Sequence, residues 1–135
     1  MKILLIRSGE EPVLSEIEGT LVSMQKVVGG PIELIYPFDD PVTLVCHEEG
    51  KLLGLPLNRI FRDQAGRIYD AIAGPFFLCG APSDSDRLDS IPQKLVEKYR
   101  QRFASPEVFI KVNGVLHCIP VKHESVMSQA VCDMA

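Results

Sequence analysis

A chain of 135 residues, 46% hydrophobic and 24% charged, has the size and balance of one folded domain, which excludes a disordered linker and a fold that depends on metal or disulfide staples. Fourteen basic against eighteen acidic side chains leave a formal net charge of −4, which argues against gripping a nucleic-acid backbone, because each phosphate contact calls for a cation. Four scattered cysteines without a CxxC, and an N-terminus too poor in apolar residues for a leader or a membrane span, point to a reducing cytoplasm and no membrane partner.

Taken in order, KILLIR is an apolar run of strand length, and PVLSEIE, after the SGEE turn, alternates well enough to be its hairpin partner. Thr20 is the expected N-cap of a short helix with Leu21, Met24 and Val28 at helical spacing, ended by Gly29-Gly30-Pro31. IELIY and VTLVCH read as strands around the PFDDP loop, and EEGK as the turn of the next hairpin. DQAGR is turn chemistry between LPLNRIF and IYDAIAG, and PFFLCG is one more buried strand before the polar loop APSDSDRLDS.

Ser90 and Gln93 have capping-box spacing with Pro92 in the first turn, opening a helix with Leu95, Val96, Tyr99 and Phe103 on one side. Its basic residues, Lys94, Lys98, Arg100 and Arg102, read as a solvated face. Asn113-Gly114 between two β-like runs signals a hairpin, and ESVMSQAVCDM is expected to form a short tail helix. The predicted class is α+β: a small, mostly antiparallel sheet with two main helices packed on it, a C-terminal hairpin and the tail helix. Residues 1–103 form the main body, and 104–135 extend the same domain.

No catalytic or metal motif stands out. Cys46-His47 and His117-Cys118 lie about seventy residues apart, and neighbours on a strand face opposite ways, so each pair reads as a buried cysteine beside a surface histidine. Asp39-Asp40 and Glu48-Glu49 have the look of turn acids. Neither a metal nor a cofactor is expected. The exception is Asn58-Arg59, which follows Leu55-Pro56-Leu57. Arginine presents a planar fork suited to phosphate or carboxylate, and asparagine both a donor and an acceptor, a fitting polar tip for an apolar pocket. Equally, Arg59 could pair with Asp63 or Asp70 across the DQAGR hairpin while Asn58 caps a bend.

The run from Gly19 to Gly80, with a helix ending in VGG, an extended segment through Tyr36, the EEGKLLGLP turn, Asn58-Arg59 and the YDAIAG segment, resembles an uncharacterised domain-of-unknown-function family of small proteins from bacterial phages, plasmids and conjugative elements. The resemblance covers residues 1 to 103 and leaves Ser105 to Ala135 uncovered. It implies an accessory protein of a mobile element and no established reaction.

The expected function is a non-enzymatic binder that sequesters a nucleotide-like signal. Arg59 would meet a phosphate or carboxylate and Asn58 a polar edge, Tyr36 or Tyr69 would offer a stacking surface, and Asp70 would complete the ligand-binding set. The alternatives are a protein-interaction module that binds or inhibits a host factor, and a hydrolase of a nucleotide signal with His47 or His117 as base. A homodimer through a strand edge or the C-terminal hairpin is a further expectation.

Overall fold

The computed structural model describes residues 1–120, and of Tyr69 the main chain. The tail helix expected over ESVMSQAVCDM, with His123 and Cys132, lies outside the described residues. The fold is α+β, with strands outweighing helices. The chain runs β1 (Lys2–Ile6), β2 (Val13–Glu16), α1 (Leu21–Val28), β3 (Ile32–Ile35), β4 (Val42–His47), β5 (Leu57–Arg62), β6 (Ile68–Ala73), β7 (Phe76–Gly80), α2 (Gln93–Arg102), β8 (Glu107–Val112) and β9 (Val115–Pro120).

Five strands form the main sheet in the order β2-β1-β7-β4-β3, every registered neighbour antiparallel. Two local hairpins, β1–β2 and β3–β4, are joined in the middle by β7. Both faces of this sheet are covered, which is why β4 and β7 are buried throughout instead of alternating. On one face, Ile3, Leu5, Val45, Phe77 and Cys79 pack with Met24 and Val28 of α1. On the other, Leu4, Ile6, Leu44, Phe76 and Leu78 pack with Val96 and Tyr99 of α2, with Phe103 just past its end, and with Phe61 and Ile72 from the β5–β6 hairpin. Phe38 closes the second cluster, 4.7 Å from the Tyr99 ring and about perpendicular to Phe103 at 6.3 Å.

The first helix has the ends its sequence encodes. Thr20 accepts the Ser23 N–H at 3.1 Å, and Gly29 takes the left-handed conformation at φ 85° while donating to Gln25 O. Leu21, at the expected apolar spacing, lies at the exposed N-terminus, so Met24 and Val28 carry the packing. The second helix departs from expectation. No capping box forms: Pro92 is the N-cap residue, without a side-chain cap, and the Ser90 hydroxyl accepts the Lys2 N–H instead. Asp89 bridges to Gly80, and Ile91 N–H donates to Lys2 O, so the segment before α2 runs extended along the sheet and Ser90 is spent there.

EEGK is not the turn of a hairpin either. Strand β4 pairs with β3 and β7, and residues 48–56 carry the chain over to the separate β5–β6 hairpin. DQAGR does form the turn of that hairpin, with Asp63 accepting from Ala65 and Arg67 N–H and Gly66 at φ 81°. Asn113, at φ 52°, and Gly114, at φ 79°, turn β8 into β9.

Candidate functional site

Asn58 and Arg59 are adjacent on β5, so ordinary alternation would send them to opposite faces. The register prevents this. Leu57 pairs with Ala73 and Arg59 with Ile72, so β5 advances two residues while β6 advances one, and Asn58 sits in a bulge. Both side chains are buried, Asn58 at 0% and Arg59 at 1% exposure. Asn58 Nδ2 donates to Ile6 O at 2.9 Å and to Gly74 O at 3.0 Å, tying β5 to the end of β1 and to the β6–β7 connection.

Every N–H of the Arg59 guanidinium has an acceptor. Nε and one Nη2 proton go to Phe103 O, the other Nη2 proton to Glu10 O at 2.6 Å, and Nη1 to Asn58 O and Asn58 Oδ1. Phe103 is the C-cap of α2, so the cation also meets the negative end of that helix. Burial pulls the Arg59 pKa down, and nearby Glu107 opposes this. The cross-hairpin ion pairs do not form: Asp63 pairs with Arg67 at 3.2 Å, and Asp70 with Lys51 at 2.5 Å. Three main-chain carbonyls and the Asn58 side-chain amide oxygen hold the guanidinium in place of a carboxylate.

Of the other residues expected to bind a ligand, Asp70 lines an open cleft. This cleft, about 310 Å³, lies between the β3–β4 edge, the crossover after β4 and strand β6. Its apolar wall includes Ile35, Ile72 and Ala73. Its charged groups are Glu33, Glu48, Glu49 and Asp70, with Lys51 as the one cation among the lining residues. Asp70 Oδ1 takes the Lys51 ammonium and the Ala71 N–H together. Tyr36 follows β3 at 63% exposure and does not line this cleft. The Tyr69 side chain lies outside what is described.

Cys46 and His47 both adjoin the cleft and are both buried, which corrects the expectation of a surface histidine. Glu33 and Cys46 are registered partners, as are Ile32 and His47, so the His47 ring turns to the α1 face. There its Nδ1 accepts the Glu49 N–H at 2.9 Å, and its Nε2 lies so near Gly30 that a side chain at that position would collide. Burial, then Glu33 and Asp70, pushes the Cys46 thiol up to about 11, so it stays protonated near neutral pH. His117 and Cys118 sit on β9. Among the described residues no group of three or more His, Cys, Asp or Glu is arranged to hold a metal ion, and no helix is long and apolar enough to cross a membrane.

Sequence reasoning missed Glu33 and Lys51, and it treated Glu48-Glu49 as turn acids. A signal did exist in the polar Glu33 of an otherwise apolar strand, but the sequence could not show that the crossover returns Lys51 to Asp70.

The family model "Domain of unknown function (DUF3846)" matches residues 1–104. The chain belongs to this family. The DUF3846 match takes in every element from β1 to α2, with the Asn58-Arg59 bulge and the Phe103 carbonyl that receives it; β8 and β9 fall outside. No curated protein and no solved structure matches the chain.

Proposed function

We propose that the protein is a non-enzymatic ligand-binding protein and that its ligand is a small organic cation, held at Asp70 in the cleft beside β6. The observation that carries this is the charge of the cleft: four carboxylates and one ammonium around an apolar wall. Low-dielectric walls focus such a field, which attracts cations and repels phosphates. Lys51 shows the chemistry Asp70 accepts, an ammonium 2.5 Å from Oδ1. With side chains 59% and 40% exposed, that ion pair is weak enough for a competing amine to displace.

A nucleotide-like ligand is the competing reading. It needs a free cation, while all five Arg59 N–H groups are engaged internally and Lys51 is paired. The accessory role in a phage or plasmid, carried by the family resemblance, accommodates sequestration of either ligand. The test is a backbone-amide NMR titration at low salt with spermidine, putrescine and free arginine, and in parallel with guanosine and adenosine nucleotides. Saturable shifts confined to residues 33–35, 46–52 and 70–73 with an amine, lost in Asp70→Asn, are expected. Saturation by a nucleotide, or by no amine, overturns the proposal.

A further inference from the structure

The β8–β9 hairpin is a two-stranded sheet with an aliphatic face that nothing among the described residues covers. Its register sets Val108 opposite Ile119, Ile110 opposite His117 and Val112 opposite Val115, all six on one side. The five aliphatic side chains there are 43–57% exposed. Phe109, Leu116 and Cys118 occupy the other side and are half-buried. Glu107, at the start of β8, accepts the Ile60 N–H at 2.9 Å and fixes the hairpin to β5. The outward face is therefore held at a fixed place on the surface.

The patch carries no carboxylate, ammonium or guanidinium. The chain as a whole carries a formal net charge of −4, so two copies have a small net repulsion to overcome. An uncharged aliphatic face is the part that can meet itself without a like-charge cost, and self-complementarity is what a two-fold interface requires. A two-stranded sheet is also marginal in water alone, and packing a second sheet on it at about 10 Å supplies the missing layer.

We propose that this face is the contact between two copies of the chain, packed hairpin on hairpin about a two-fold axis, with Ile110 near the centre. The size of the patch sets the strength. Half-exposed, the five side chains offer on the order of 400 Å², within the range of the largest apolar patch on a typical monomer. That is about half of the roughly 800 Å² per partner in a stable interface. The dimer is therefore weak and concentration-dependent. It rests on the hairpin alone and is independent of any ligand in the cleft.

Sedimentation velocity of the full chain from about 10 µM to 1 mM tests it, a span that brackets weak association. The weight-average mass is expected to rise from 15.0 kDa toward twice that value. Ile110→Lys should remain monomeric throughout with unchanged amide shifts over residues 1–104, while Leu52→Ser, at a residue 83% exposed and distant in sequence, should associate like wild type. A wild type that is monomeric at 1 mM overturns the proposal, whether the face is then covered by residues 121–135 or by a different protein. Equal loss of association in Leu52→Ser overturns it too, by placing the contact elsewhere.

Discussion

Replacing Arg59 by methionine separates a structural guanidinium from a ligand-binding one. Methionine keeps most of the apolar stem and removes all five donors. Glu10 O lies in an exposed turn and regains water, but Phe103 O, Asn58 O and Asn58 Oδ1 are left inside the protein without their Arg59 donors. At about 1–3 kcal/mol for each orphaned buried acceptor, offset in part because a desolvated cation is no longer buried, the net loss comes to about 2–5 kcal/mol. Typical domains hold only about 5–15 kcal/mol in total. For a chain of this size the melting temperature should fall by on the order of 10–20 °C. Arg59→Lys should lose nearly as much, since a point ammonium with three donors cannot reach acceptors spread around a planar fork. Urea and thermal denaturation followed by far-ultraviolet circular dichroism measure both variants. A melting temperature within about 3 °C of wild type for Arg59→Met would refute the reasoning; if that folded variant had also lost a ligand, Arg59 would return as a binding residue.

Two further perturbations probe the frame. Gly80→Ala places a Cβ against the main-chain carbonyl of Ser90, which cannot rotate aside, so the Gly80–Asp89 bridge should break at a cost of about 1–3 kcal/mol in a urea titration; an unchanged midpoint would show that the segment before α2 is not fixed to the sheet. Asp40 accepts from Lys98 Nζ and Tyr99 Oη, and these hydrogen bonds, Lys98 first, hold its pKa below 3.8. A depressed carboxylate contributes stability that is complete above its unfolded value and is lost as pH falls through its folded one. Asp40→Asn should thus be less stable than wild type at pH 7, with the gap narrowing below about pH 4. A gap that is constant from pH 7 to pH 3 would contradict this.

Local structure was well written in the residues. Thr20 and Gly29 bracket α1, Asn113-Gly114 turns the last hairpin, and DQAGR turns β5 into β6, because caps and tight turns depend on a few neighbouring side chains. What failed depended on distant partners. Ser90 has the spacing of a cap, yet the Lys2 N–H at the far end of the chain claims its hydroxyl. EEGK has the composition of a hairpin turn, yet β4 already has two neighbours. Asn58 and Arg59 stood out rightly as an unusual pair. That a bulge turns both inward, onto carbonyls contributed by four separate segments, is a tertiary fact with no local mark. The cleft is the same kind of case, since Glu33, Lys51 and Asp70 meet only after the crossover is in place.

The central position of β7 has a consequence for how the protein comes to be made. Both hairpins that flank it are complete by His47, but the strand that unites them is not synthesised until Phe76–Gly80. Until then β1 and β4 present bare edges in two almost wholly apolar strands, the kind of surface on which partly made chains associate wrongly. Closing the sheet also couples residues far apart in sequence, which slows the last step. The ribosome must add the crossover and the whole β5–β6 hairpin before those edges can be covered.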